Sequence, residues 1–250
     1  FPANTSKVDA FITAGDTSLN NFDRDSRGLF AVGYLLHGIN GTDVLASLQD
    51  ANYRAYLRTL IRDIQQRVQS VHGAWKDGFA ADFISRDGTD VGGGTSQLSN
   101  EFVRHFDSIK KWKVGLPAGK RPGQTGPQPE LVESRFAQLS RELIAANLEA
   151  VLRVYEGKNA GNTDGIGLLE YVEAVEGGPA LANSSRTQWT VVMNAFNALP
   201  ANRSIQELAA ADAPELATFH TELQKHTRFF KSDMSSVLGI AITFASGDGD

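Results

Sequence analysis

The chain has 250 residues, of which 41% are hydrophobic and 21% are charged, with 24 glycines, 8 prolines and no cysteine. This composition indicates a folded globular protein and excludes both a disulfide-stapled fold and a zinc site with thiolate ligands. Basic and acidic side chains number 24 and 29, for a net charge of −5. Such a charge would repel a phosphate backbone, so nucleic acid is not an expected partner.

The ends and the hydropathy of the chain bear on its location. No apolar run is long enough to span a bilayer, and the first ten residues lack the basic and apolar blocks of a signal peptide. We therefore expect that, if the protein is exported, this sequence is that of a mature or trimmed chain.

In the first half of the chain, apolar residues recur every three or four positions and predict amphipathic helices. The first clear helix is predicted over 50–75, with its apolar face formed by residues that include Tyr56, Leu60, Val68, Val71 and Trp75. A second is predicted from Thr95 or Ser96 to about Lys113, with Leu98 and Trp112 facing inward. The segment 114–129 holds four prolines and four glycines, which predicts an irregular connection and a domain boundary.

The second half of the chain predicts four more helices. They cover about 27 residues from Glu130, then 165–175, 185–199, and Pro214 to about Met234. Gly239–Ala245 has the β-branched and aromatic density of a strand but no hairpin partner. The prediction is an all-α fold of two packed helical bundles, over 1–115 and 116–250.

A short internal echo supports duplication. Residues 28–38 and 165–177 each place a tyrosine, Tyr34 or Tyr171, six positions after a glycine. We therefore expect Gly28 and Gly165 to open equivalent helices. A long helix precedes the second copy, whereas about 27 residues precede the first, so we expect the first helix of the N-terminal bundle to be missing from this chain.

Two carboxylate and histidine pairs have the spacing of metal ligands on one helix face. They are Glu101 with His105 and Glu222 with His226, each four residues apart. Apolar neighbours surround both histidines, which favours packed side chains over ligands. Motifs of serine hydrolases, phosphate-binding loops and HExxH metallopeptidases are absent from the sequence.

Several segments together resemble the imelysin family, and within it the exported lipoprotein branch of the Bacteroidetes. The resemblance is carried by RGLFAVGYLLHG (27–38), KVGLPAG (113–119), the helix at 129–151 and the ending DMSSVLGIAITFASGDGD (233–250). It implies two helical bundles related by duplication. It also implies an exported protein of the periplasm or outer membrane, with a lipid anchor outside this chain and a link to iron uptake.

Some imelysin-like proteins are described as metallopeptidases, and the family signature is GxHxxE at the start of a helix. Gly28 matches the glycine of this motif, but Phe30 replaces the histidine and Gly33 replaces the glutamate. In the second copy the corresponding positions are Gly165, Gly167 and Glu170. The motif is therefore degenerate, and the sequence predicts neither a bound metal nor a catalytic residue there.

The favoured hypothesis is a non-catalytic binding protein that holds an iron-bearing, haem or peptide ligand between the two bundles. No permanent cofactor is predicted, although iron or haem could be the ligand. The predicted polar lining of this site is Arg27, Tyr34, His37, Glu170 and Tyr171. One alternative is a metallopeptidase that uses other ligands, such as His37, Glu170 or the two helical Glu/His pairs. Another is an interaction partner of an outer-membrane uptake receptor that binds no small ligand.

Overall fold

A computed structural model describes residues 2–20, 23–38 and 43–244 of the chain. Regular secondary structure in these ranges is helical, without a strand, and helices account for 67% of the structure. The predicted all-α fold is therefore confirmed. None of the helices in this described part combines the length and apolar character that crossing a membrane requires.

The chain divides into two compact units, and both are discontinuous in sequence. Unit 1 comprises 1–80 and 130–140, and unit 2 comprises 81–129 and 141–250. This division differs from the predicted boundary between residues 115 and 116. The Pro/Gly-rich segment belongs to unit 2, and it ends at residue 129, where the chain passes into residues 130–140 of unit 1.

Unit 1 is built mainly from four helices. They are α1 (Thr5–Ala14), α2 (Leu29–His37), α3 (Val44–Ser47) and α4 (Ala51–Ala74). Asn4 caps α1 by accepting the Lys7 N–H at 3.1 Å, and Asp50 caps α4 by accepting the Tyr53 N–H at 3.0 Å. Buried residues from α1, α2 and α4 form the core of this unit, including Val8, Ala31, Leu35, Tyr56, Leu57 and Leu60.

Helix α4 confirms the predicted helix at 50–75, but only its first half is buried. Tyr56, Leu57 and Leu60 lie in the core, whereas Val68 and Val71 are 63% and 60% exposed. The apolar face of the second half is exposed, because the residues of α4 that lie in the buried cluster with α1 and α2 extend only to Leu60. Helical periodicity shows that a helix has an apolar face and does not show what covers that face.

Helix α4 is followed by a π-helical turn, Trp75–Phe79, and then by α5 (Ala80–Ser85). The turn contains a kink, because Gly78 has a φ of 133°, which other residues rarely adopt. The α-helix therefore ends at Ala74, one residue before the predicted end at 75, and helical backbone resumes beyond the kink.

Unit 2 contains the remaining helices. They are α6 (Gly94–Ser108), α7 (Ser140–Tyr155), α8 (Leu168–Glu173), α9 (Gly178–Asn197), α10 (Ile205–Ala210), α11 (Pro214–Arg228) and α12 (Ser235–Val237). Helix α6 continues into a π-helix, Ile109–Gly115, and α11 into another, Phe229–Met234. The irregular connection predicted for 114–129 is confirmed, since turns and bends follow Gly115 as far as residue 128. Leu98 and Trp112, predicted to face inward, are 41% and 46% exposed.

The helix predicted from Glu130 to about 156 is shorter than expected. Its α-helical part, α7, begins only at Ser140. Ser134 and Gln138 have positive φ values of 54° and 57°, which interrupt a right-handed helix. The Ser140 hydroxyl donates a hydrogen bond to the Glu133 carbonyl and so contributes to fixing the chain before α7.

The segment of strand-like composition, 239–245, contains no strand within its described residues, 239–244. Instead, Asn100 of α6 holds it as irregular chain: its amide donates to the Ala241 carbonyl at 3.0 Å and accepts the Thr243 N–H at 2.8 Å. Ala245 lies outside the described residues. The described residues of this segment therefore pair with no sheet, and the Asn100 side chain contributes to fixing them.

Aromatic rings form the centre of unit 2. Phe230 lies 4.7 Å from Phe102, 5.2 Å from Phe106 and 5.1 Å from Tyr155 between ring centroids. These separations are within the range of favourable aromatic pairs. The rings come from α6, α7 and the π-helix after α11, so they join elements that are distant in sequence.

A buried ionic group lies beside this core. Asp107 is 4% exposed, and its two carboxylate oxygens lie 3.0 Å from the ammonium of Lys110 and 2.5 Å from that of Lys111. Both lysines are at most 5% exposed. Buried charges are costly unless they are paired, and this carboxylate provides a pairing charge for both lysines.

Candidate functional site

The degenerate motif lies at the start of α2 in unit 1. Gly28 is the N-cap residue of this helix, with a φ of 81° that favours glycine. Phe30 and Gly33 follow in the first turns and line a cavity of about 20 Å³, together with Phe136. That volume is close to the space of one water molecule. The motif positions therefore offer neither donor atoms nor room for a hydrated metal ion.

Tyr34, one of the predicted lining residues, is engaged within unit 1. Its hydroxyl donates to both carboxylate oxygens of Asp9, at 2.9 and 3.0 Å, and its ring lies 5.1 Å from that of Phe136. Burial, together with the hydrogen bond to Asp9, raises the pKa of Tyr34 to about 12. The tyrosine is therefore neutral at physiological pH and stabilises the contact between α1 and α2.

The other two predicted residues of unit 1 lie near the two ends of α2. Arg27 is half-buried in extended backbone just before the helix. His37 is the last residue of the helix and is exposed.

Glu170 and Tyr171 belong to α8 in unit 2. The Glu170 carboxylate accepts the N–H of Gly167, the N-cap residue, at 2.7 Å, which is one half of a capping box. Tyr171 is 45% exposed. The geometry gives Glu170 a local structural role. The five predicted residues are thus three in unit 1 and two in unit 2, and their shared cleft stays a prediction.

The predicted equivalence of Gly28 and Gly165 is wrong at the level of helix starts. Gly28 directly caps α2, whereas α8 is capped by Gly167, two residues after Gly165. The bond from the Gly167 N–H to Glu170 fixes the start of α8 there. A helix does precede the first echo: it is α1, which has 10 residues. The helix that precedes the second echo, α7, has 16 residues. Duplication of the two halves stays a prediction.

A larger cavity, of about 190 Å³, lies within unit 2. Its wall is formed by residues of α7, α8, α9 and α11 with the following π-helix, including Leu152, Tyr155, Leu169, Ser185, Trp189, His226 and Phe230. Most of these side chains are buried, and the exposed Arg186 and Thr190 lie at the rim. Apolar walls with few polar groups are typical of small-molecule sites.

His226 is the unusual member of this wall. It has no exposed surface, and aromatic rings surround it: Phe230 at 4.5 Å, Trp189 at 5.2 Å and Phe106 at 5.4 Å between centroids. Neither ring nitrogen has a hydrogen-bond partner among the described residues. Burial lowers the pKa of His226 to about 3, so the imidazole is neutral at physiological pH.

Glu222, one turn before His226, does not share a ligand with it. Its carboxylate accepts hydrogen bonds from Gln188 at 2.8 Å and from Lys225 at 2.7 Å, and the bond from Lys225 lowers the pKa of the Glu222 carboxyl. Over residues 2–20, 23–38 and 43–244, no group of three or more His, Asp or Glu side chains is placed to hold a metal ion. The favoured prediction of a packed histidine thus describes the position of His226.

The sequence did not single out this cavity, because its wall comes from four separate segments. One signal was available: Leu223, Phe229 and Phe230 lie three or four residues from His226 on one helix face and place it in an aromatic core. The partners from α7 and α9 are not visible from sequence spacing.

Comparisons with known proteins place this geometry in a family. The Imelysin family model matches residues 1–228. The structure is also similar to a crystal structure from Parabacteroides distasonis, described as an iron-regulated protein A precursor. The two superpose with a TM-score of 0.71 and share 14% sequence identity, and the match covers 95% of this chain and 73% of that chain. At such low identity the likeness shows a shared fold. No curated protein gives a significant match. Because the family model spans most of the sequence, the chain belongs to the imelysin family.

Proposed function

We propose that this chain is a binding protein of the bacterial envelope, linked to iron uptake, that performs no catalysis at its degenerate motif. One observation carries the proposal. Phe30 and Gly33 stand where the family signature has a histidine and a glutamate, and they line a cavity of about 20 Å³. A catalytic zinc needs three protein ligands and an open position for water, and this site offers neither.

The peptidase alternative would need other ligands, and the named candidates are poorly suited to the task. His37 is exposed at the end of α2, and the Glu170 carboxylate accepts the Gly167 N–H at 2.7 Å. A glutamate engaged as a helix cap would have to give up that bond to bind a metal ion. The alternative therefore needs a rearrangement of the start of α8.

The link to iron and to the envelope rests on the family and on the described relative. That relative is named an iron-regulated protein A precursor, and the word precursor supports export. We propose an iron-bearing compound, haem or a peptide as the ligand, with Arg27, His37 and Tyr171 as candidate contacts. Tyr34 and Glu170 would contribute only if their present bonds are exchanged for bonds to the ligand. An outer-membrane uptake receptor is the proposed protein partner.

Two assays on the purified chain test this function. Equilibrium dialysis against ferric citrate and against haemin measures binding, and hydrolysis of casein after loading with Zn²⁺ measures peptidase activity. We expect retention of at least one iron-bearing probe and no hydrolysis. Metal-dependent hydrolysis that disappears in His37→Ala or Glu170→Gln would overturn the proposal in favour of the peptidase. Failure of both probes to bind, with no hydrolysis, would leave the receptor-interaction hypothesis as the better account.

A further inference from the structure

The imidazole of His226 is a buried polar group with unmet hydrogen-bonding capacity. A neutral imidazole has one N–H donor and one nitrogen acceptor, and neither has a partner among the described residues. Such unsatisfied groups are rare in native structures because burial removes their bonds to water.

The cavity beside His226 has the size and shape for a single ring. Its volume is about 190 Å³, and an apolar protein cavity of roughly 150 Å³ is large enough to bind benzene. Trp189, Phe230 and Tyr155 provide aromatic walls, and Leu169 provides an aliphatic one. Rings pack favourably against such walls in stacked or edge-to-face geometry.

The charges around the cavity favour an uncharged ligand. At the rim, Glu156 accepts a hydrogen bond from Lys158 at 2.7 Å, and Arg186 donates to Glu173 at 2.7 Å. His226 itself carries no charge at physiological pH. An ion entering the cavity would therefore meet no uncompensated opposite charge and would lose its hydration.

We propose that this cavity binds a small, uncharged aromatic molecule that bears a hydroxyl group, and that His226 forms the hydrogen bond to that hydroxyl. Because His226 has no exposed surface, the rings of Trp189 and Phe230 shift slightly when the ligand enters. The hydroxyl of the ligand then becomes the hydrogen-bond partner of the imidazole. This site lies wholly in unit 2 and does not depend on the proposed link to iron.

Phenol is the probe, and benzene is its matched control because it differs only by the hydroxyl. Isothermal titration calorimetry of the full chain measures the affinities for both compounds in the wild type and in His226→Leu. This substitution replaces the imidazole with an apolar side chain of similar size. We expect the wild type to prefer phenol by about five- to tenfold, the value of one net hydrogen bond. We expect His226→Leu to bind both compounds about equally. His72→Leu, on an exposed part of α4, is the control variant and keeps the preference.

A second measurement does not depend on the folding of the variant. We expect the NMR resonances of the His226 ring nitrogens in the wild type to change chemical shift on addition of phenol. The change on addition of benzene should be smaller. The proposal is overturned if neither compound binds, which would assign the cavity to water. It is also overturned if phenol and benzene bind equally, or if the phenol preference survives in folded His226→Leu.

Discussion

Acid should destabilise this protein through His226, and the size of the effect follows from its burial. Burial lowers the pKa of His226 from 6.5 to about 3. As the pH falls below 6.5, the unfolded chain binds a proton at this histidine and the folded chain does not. The stability associated with the neutral imidazole is therefore fully present above pH 6.5 and is lost progressively as the pH approaches 3.

The magnitude at pH 5 can be worked out directly. Each pH unit below 6.5 costs about 1.4 kcal/mol while the folded chain stays unprotonated, so pH 5 costs about 2 kcal/mol relative to pH 8. This figure holds for any folded-state pKa below about 4. The lowered pKa values of Asp16, Asp25, Glu207 and Glu222 also reduce stability in acid. The comparison must therefore be made with a variant that lacks only the imidazole.

Urea unfolding of wild type and His226→Leu between pH 5 and 8 isolates the term. Trp189 reports on the site, because its ring lies 5.2 Å from that of His226. Replacing the half-exposed Trp75 and Trp112 by phenylalanine in both proteins leaves Trp189 as the sole tryptophan. We expect the wild type to lose about 2 kcal/mol more than the variant between pH 8 and pH 5. If the free energies of unfolding of the wild type and the variant change equally with pH, the pKa of His226 is the same in the folded and unfolded chains. That result would refute the reasoning.

Two further predictions concern stability. Asp107→Asn should lower the free energy of unfolding by about 3–5 kcal/mol, because it removes the charge to which two buried lysines bind; Asp82→Asn, which breaks an exposed pair, should cost less than about 1 kcal/mol. Similar losses in urea unfolding would contradict the assigned burial. Gly28→Ala should destabilise by about 1 kcal/mol because its φ is 81°, whereas Gly33→Ala, in helical backbone with equal space, should be neutral or stabilising by up to about 1 kcal/mol. Equal thermal shifts would contradict that backbone assignment.

Periodicity predicted the helices well where packing agrees with local pattern. Helix α4 was predicted over 50–75 and observed over Ala51–Ala74. Periodicity failed at Ser134 and Gln138, whose positive φ values interrupt the predicted helix. The spacing of apolar residues does not show a left-handed φ in a residue other than glycine. The exposure of Val68 also could not be predicted from the sequence, because it depends on which elements pack against that part of α4.

The candidate sites differ in how much of them the sequence contains. The loss of donor side chains at Phe30 and Gly33 can be read directly from the residues. The local bonds of Tyr34 and Glu170 could not be predicted, because Asp9 and the Gly167 N–H become partners only in the folded chain. The cavity of His226 required the placement of rings from separate helices, and its missing hydrogen bonds are a property of that placement.

The most direct test of the central claim is the metal content of the purified chain. The protein is given one equivalent of Zn²⁺ or Fe²⁺, dialysed, and measured by mass spectrometry of the metal. Because Phe30 and Gly33 carry no donor atoms, we predict that no tightly bound Zn²⁺ or Fe²⁺ is retained at the motif over residues 28–33. Retention of one equivalent that is lost in His37→Ala or Glu170→Gln would contradict the account and support a metallopeptidase with non-standard ligands.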